Sequence, residues 1–255
     1  MALNHYNVYE IEGEIMGRAA EVRKKARAET AAAKTKVYSK FGKGLYLAAK
    51  AGVPDPEMNV TLKRTIEKAK KAQVPSDVIK RAIDKAKSGT GENYSSTTYE
   101  GFGPGASTLI VECLTDNPNR CITEVRTCFT KAKSKLGISG CVSHNYDHVA
   151  LLEVSGISED EVLEACMNAD VDITDISSED GAVTIIATPD KLYGVKEAIE
   201  KFRPGLNFTV EEVTYLPTNN EYVSLAGEEM ELFERLLSLL DEVDDVQEVY
   251  HNVKD

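Results

Sequence analysis

Apolar and polar positions recur with two different periods along this chain, and the change of period divides it. From Lys36 to Ala51 the apolar residues Val37, Phe41, Leu45 and Ala48 return every three to four positions, which predicts a helix with Gly52 at its C-cap. Asp55-Pro56 offers a capping side chain followed by proline. After it, Met58, Leu62, Ile66, Ala69 and Gln73 predict the inner face of a second helix, with Lys63, Arg64, Lys70 and Lys71 outside. Ser76 is placed to cap a third helix, with Val78, Ile79, Ala82, Ile83 and Ala86 turned inward and Gly89 after its end.

Past the small and polar stretch Ser88-Gly89-Thr90-Gly91-Glu92-Asn93 the period shortens. Strand-like runs at Ser107–Thr115, Val149–Val154, Val183–Thr188, Phe208–Leu216 and Val246–Tyr250 alternate with helix-like runs. The helical ones are Asn119–Lys131, Glu159–Asn168, Lys191–Lys201 and Glu228–Leu240. Short turns, and no glycine-rich crossing from strand to helix, favour compact sandwiches over one large parallel sheet. The expected fold class is α+β multidomain: a basic all-helical N-terminal domain followed by two ferredoxin-like α/β sandwich domains.

Charge follows the same division. The 255 residues carry a net −12, yet residues 16–89 hold 19 Lys+Arg against 7 Asp+Glu, while residues 90–255 hold 11 against 32. A helix stabilised by ion pairs one turn apart would mix signs; cations crowded this densely repel one another, a strain that a phosphate backbone relieves. The candidate nucleic-acid contacts are therefore Arg18, Arg23, Lys24, Lys25, Arg27, Lys34, Lys36, Lys40, Lys43, Lys63, Arg64, Lys70, Lys71, Lys80 and Arg81. Nothing among them reads bases, so backbone-positioning contacts of weak sequence specificity are expected.

Composition of 42% hydrophobic and 28% charged residues is that of a globular chain. No window approaches the ~18 uninterrupted apolar residues of a membrane span, and no signal-peptide pattern opens the chain. Glu10, Glu12 and Glu14 without a nearby cation oppose a transit peptide. A cytoplasmic protein is expected. The five cysteines form an odd set without a CxxC, which suits reduced thiols.

Most other motifs read as structure. Cys141, His144 and His148 have a C-x2-H-x3-H spacing but no evident fourth ligand, so no metal is expected. Tyr99-Glu100-Gly101-Phe102-Gly103-Pro104-Gly105 reads as a tight turn between strands, since it lacks the GK[ST] ending and helix start of a phosphate loop. Asp116, Asn117 and Asn119 are capping candidates, and Asp170, Asp172 and Asp175, interleaved with Val171, Ile173 and Ile176, read as a half-buried acidic edge. No nucleophile-and-base or paired-carboxylate arrangement emerges, so neither an enzyme nor a cofactor is expected.

Taken together, Tyr99-Glu100-Gly101-Phe102-Gly103-Pro104, Leu114-Thr115-Asp116-Asn117-Pro118-Asn119-Arg120, Ala169-Asp170-Val171-Asp172 and the ending Asp245-Val246-Gln247-Glu248-Val249-Tyr250-His251-Asn252-Val253 resemble the YebC/PmpR family. Ala72-Gln73-Val74-Pro75 and the Val-Tyr-His-Asn-Val ending resemble its YeeN-like branch. The resemblance implies a helical domain over 16–91, a discontinuous central α/β domain over 92–143 and 207–255, and an inserted acidic α/β domain over 144–206. Residues 1–15, ahead of Met16-Gly17-Arg18, are expected to be an extension or a misplaced start.

Family members are mostly labelled probable transcriptional regulators that bind DNA. Relatives, including a mitochondrial translational activator of cytochrome oxidase, resemble ribosome-associated factors that relieve stalling at proline runs. The resemblance also matches Lys133 to Cys141 with a Gly-Gly-Asn-Leu-Gly-x-x-Gly-Ser loop, from which this chain departs: Lys133-Ser134 stands for the glycine pair and Cys141 for the serine. Lys133 and Lys135 are expected as additional phosphate contacts. The leading expectation is a non-enzymatic regulator that docks on ribosomal RNA. A DNA-binding transcriptional regulator and a protein-interaction adaptor are the alternatives, and the oligomeric state stays open.

Overall fold

The computed structural model describes residues 34–89 and 93–254, so the expected contacts at Arg18, Arg23, Lys24, Lys25 and Arg27, and the expected extension, lie outside the described residues. The chain divides into two compact units, Met1–Ser95 with Leu114–Asn117, and Ser96–Cys113 with Pro118–Asp255.

In the first unit, α1 (residues 34–50), α2 (Val60–Lys71) and α3 (Ser76–Ser88) close on a core that includes Leu45, Ala49, Leu62, Ala69, Val74 and Ile79. The apolar stripes expected on α1 and α3 supply much of it. The start of α2 differs from expectation. Asp55 forms a turn of its own: its carboxylate accepts the Glu57 N–H at 3.1 Å and its carbonyl the Met58 N–H at 3.1 Å. The cap is Asn59, whose Oδ1 accepts the Leu62 N–H at 3.0 Å while its Nδ2 donates to the carbonyls of Ala48 at 2.8 Å and Val53 at 3.0 Å. One amide thus opens α2 and fastens the end of α1. Met58, expected inward, is 72% exposed as a result.

Two further caps are corrected. The N-cap position of α3 is Pro75, without a side-chain bond, and Ser76 is already helical. The last turn of α1 closes through the Ala51 N–H on the Leu47 carbonyl, and Gly52 does not take the left-handed conformation. Gly89 does, at φ 67°, as its place after α3 predicts.

The rest of the chain runs β1 (Ser95–Phe102), β2 (Thr108–Thr115), α4 (Pro118–Lys131), β3 (Lys135–Leu136), β4 (Tyr146–Ser155), α5 (Glu159–Asn168), β5 (Asp175–Glu179), β6 (Ala182–Ala187), α6 (Leu192–Phe202), β7 (Asn207–Pro217), α7 (Glu228–Asp241) and β8 (Val246–His251). It forms two four-stranded sheets, ordered β3-β1-β2-β8 and β5-β6-β4-β7. β1 pairs with β3, and β2 with β8, antiparallel; so do β4 with β6 and β7, and β5 with β6. Helices α4 and α7 cover the first sheet over Leu109, Val111, Phe129, Phe233, Leu236 and Leu240. Helices α5 and α6 cover the second over Leu152, Ile185, Val162, Val195 and Ile199.

Strand β7 pairs with β4 from Ser155↔Asn207 to Tyr146↔Pro217. Residues 207–217, expected with the central domain, thus form the outer strand of the second sheet. A strand's alternation tells which face is buried; it does not tell which sheet receives the strand. Strand β1 likewise extends to Phe102 through residues expected to turn, and the turn proper begins at Gly103, whose N–H donates to the Ser107 carbonyl at 2.8 Å.

Ile110, Val142 and Tyr146 join the two sheets' modules through a small core with Cys141, Tyr215 and Tyr250 packed against it. Thr108 fixes this junction: its Oγ1 lies 2.8 Å from the Tyr146 hydroxyl, and its N–H donates to Asn252 Oδ1 at 2.8 Å. Burial at this position pushes the Tyr146 phenol up to about 12.

Candidate nucleic-acid interface

Within residues 34–89 the described helices and their turns carry 14 Lys+Arg against 5 Asp+Glu. Lys63, Lys70, Lys71, Lys80 and Arg81 are exposed, as is Lys34, whereas Lys36, Lys40, Lys43 and Arg64 are half-buried. Part of this charge has a local reason: Lys68, Lys70 and Lys71 close α2 and Lys85 and Lys87 close α3, where cations meet the negative end of the helix dipole. Lys63 on α2 has no such reason, standing in the first turn, where a cation opposes the dipole.

Structure adds what the charge pattern omits. A groove of ≈ 410 Å³ runs between α1 and α3, lined by Thr35, Tyr38, Ser39, Gly42, Lys43 and Tyr46 from α1, by Val78, Arg81, Ala82 and Lys85 from α3, and by Tyr94. The α1 residues recur as 35, 38/39, 42/43 and 46, and those of α3 as 78, 81/82 and 85, about one turn apart, so each helix offers one face. Lysines ride on the rings: Lys43 Nζ is 5.7 Å from the Tyr94 centroid, Lys85 is 5.6 Å and Lys50 5.4 Å from that of Tyr46, and the two tyrosines meet edge to face at 5.8 Å. Of the cations expected from sequence, the groove gathers Lys43 and Arg81 and leaves Lys34, Lys63 and Lys70 elsewhere on the helices. The tyrosines were not expected; their signal was Tyr38 and Tyr46 flanking Lys43 on one helix face.

The expected loop contacts stand on the second unit. Lys133 follows α4 in the left-handed conformation, φ 52°, a backbone shape that suits glycine best. The Ser134 N–H reaches back to the Phe129 carbonyl at 2.8 Å, so the departure from glycine leaves the helix closure intact. The Lys133 ammonium lies 2.9 Å from the Glu228 carboxylate, both exposed, and holds that carboxyl below its usual range. Lys135 is exposed on β3 opposite Phe102.

Glu100 anchors the far side of this loop. Its side chain, 6% exposed, accepts the N–H groups of Gly140 at 2.7 Å, Val142 at 2.7 Å and Ser143 at 2.9 Å. Burial alone would raise the carboxyl's pKa; the three donors outweigh it and hold the group below its ordinary value. Ile138, 80% exposed, stands out at the tip. Gly101 beside it admits no side chain, since a Cβ would run into the Phe129 ring and the Lys135 carbonyl.

The remaining motifs find structural partners. His148 stacks on Tyr215 at 4.4 Å, Cys141 is half-buried, and all five cysteines are free thiols. Among the described residues no group of three or more His, Cys, Asp or Glu could hold a metal ion, and no helix is long and apolar enough to cross a membrane. Val171, Ile173 and Ile176 pack against the second sheet's core, as an edge with alternating carboxylates requires. Arg120 donates to the 2% exposed Asp245 at 2.7 Å, tying the start of α4 to the turn before β8.

Two family models match the chain: "TACO1/YebC protein N-terminal domain" over residues 18–89 and "TACO1/YebC second and third domain" over residues 94–253. A probable transcriptional regulatory protein of Alteromonas mediterranea is 52% identical over 237 residues, which cover 93% of this chain and 98% of that one. One from Pseudoalteromonas translucida is 52% identical over 238 residues with the same coverage, and one from Vibrio cholerae is 50% identical over 237. The crystal structure of a conserved hypothetical protein from Aquifex aeolicus matches with a TM-score of 0.70 at 36% identity, over 86% of this chain and 90% of that one.

Proposed function

We propose that this chain, which belongs to the TACO1/YebC family, is a non-enzymatic regulator of gene expression that acts by binding RNA, as a ribosome-associated translation factor in the cytoplasm that relieves stalling. The observation that carries the reading is the concentration of cations on α1, α2 and α3, with Lys63 placed against the helix dipole. Ribosomal RNA offers a dense, rigid phosphate surface to such a face. The acidic α/β modules are repelled by the same surface, which orients the protein with its helical unit toward the RNA. The β4-α5-β5-β6-α6-β7 connectivity and strand order of the second sheet support a ferredoxin-like module, inserted between β3 and α7 of the first, whose strands run in the same spatial order with β1 moved ahead of β2. Lys133 and Lys135 supply secondary phosphate contacts in this reading.

A second reading, a DNA-binding transcriptional regulator, draws on the relatives' names and on one feature of the helices. α2 and α3 are joined by the four residues Ala72-Gln73-Val74-Pro75, with Gln73 at φ 58°, a spacing compatible with a helix-turn-helix. The first turn of α3, which would face the bases, carries Asp77 and repels phosphate there. Sedimentation of the full-length protein with ribosomes, set beside footprinting on duplex promoter DNA, tests the order. Salt-sensitive co-sedimentation without a discrete footprint is expected. A discrete footprint without co-sedimentation would overturn the RNA reading.

A further inference from the structure

We infer that the groove between α1 and α3 is a pocket for one unpaired nucleotide of a structured RNA, its base laid against tyrosine and its phosphate held by Lys43, Arg81 and Lys85. The inference rests on the nucleic-acid reading above and adds to it the place and form of the bound group. A purely electrostatic face that follows a duplex needs cations alone. This groove also brings the half-buried rings of Tyr38 and Tyr94 among the cations, with Tyr46, 3% exposed, packed beneath them. Aromatic rings interleaved with cations are what single-stranded nucleic acid uses, because every base has a π-face and every linkage a charge. Its ≈ 410 Å³ lies at the small-ligand scale of about 300–1,000 Å³.

Three details support occupancy by a planar group. Gly42 and Ala82 line the groove with no more than a hydrogen and a methyl group, which leaves it room. A Cβ built on Gly42 meets nothing within 4 Å among the described residues, so none of them fills that space. The ammonium groups of Lys43 and Lys85 lie 5.7 Å and 5.6 Å from ring centroids, close enough for one ligand to touch a ring and a cation together. RNA is the favoured source because duplex DNA keeps its bases stacked, whereas structured RNA displays unpaired bases in loops and bulges.

The test is fluorescence anisotropy of the full-length protein with labelled oligouridine and, separately, with a fully paired RNA duplex, in dilute salt. Gly42→Leu fills the groove and Tyr94→Leu removes a ring; each is expected to weaken oligouridine binding about ten-fold, the scale of one lost base–aromatic stack. Duplex affinity should stay within about two-fold, since the outer cations remain. Tyr94→Phe, which keeps the ring, and Gly42→Ala, which adds only a methyl group, should bind oligouridine as the unaltered protein does. If the two leucine variants leave oligouridine binding intact, or weaken both probes equally, the nucleotide pocket is overturned while the nucleic-acid reading stands. If the unaltered protein binds neither probe, or Lys63→Glu with Lys70→Glu leaves duplex binding unchanged, the reading itself falls and the pocket with it.

Discussion

Glu100 and Gly101 show how two adjacent residues shape one loop. The Glu100 carboxylate satisfies three backbone donors, so Glu100→Gln, which gives up the charge on the acceptor, is expected to cost about 1–2 kcal/mol at neutral pH. Its folded pKa lies below the unfolded value, so the stabilisation is complete above about pH 4.3 and is lost as pH falls through the folded value. Thermal melts across pH should therefore show wild type and Glu100→Gln converging in acid; a gap that persists or widens there would contradict the clamp. Gly101→Ala forces a methyl group against the Phe129 ring and is expected to cost about 2–3 kcal/mol in a denaturant titration. The glycine was visible in the sequence as part of a turn-like motif. Its reason was not, because the ring it meets is brought from α4 by tertiary packing.

Elements were legible where periodicity was long and their starts and stops where a single signal operated. Helix α5 runs from Glu159 to Asn168 as its pattern predicts, opened by a reciprocal Ser158–Glu161 capping box. Helix α2 was expected to open at Asp55-Pro56; it opens instead at Asn59, whose amide also bonds the carbonyls of Ala48 and Val53. Asn59→Ala is expected to destabilise the helical unit by about 2 kcal/mol, and Asn59→Asp, which keeps the cap acceptor but loses both donors, by about half as much. Equal melting of Asn59→Asp and wild type would show that the bonds to α1 carry no weight. Strands β1 and β3 were missed for a different reason: Ser95–Phe102 holds few apolar residues and β3 only two residues in all, so neither has a period to read.

At the scale of the whole molecule, the division of charge between a basic helical start and an acidic α/β remainder was open to view in the sequence. So were the two α/β modules, though the partner of β7 depended on a pairing that no local pattern encodes. The candidate interface was legible as a set of lysines and arginines. Its groove was not, since only tertiary packing brings the α1 residues Thr35 to Tyr46 against Val78 to Lys85 and Tyr94. The central claim is that the cations of α1, α2 and α3 hold a phosphate backbone. Its most direct test is the salt dependence of full-length binding to a ribosomal RNA fragment, measured for wild type and for a variant with Lys63→Glu, Lys70→Glu and Lys71→Glu. Log affinity should fall linearly with log salt, and the variant should bind more weakly with a slope shallower by about one unit per phosphate contact removed. An unchanged slope and affinity in the variant, or no binding by wild type in dilute salt, would contradict it.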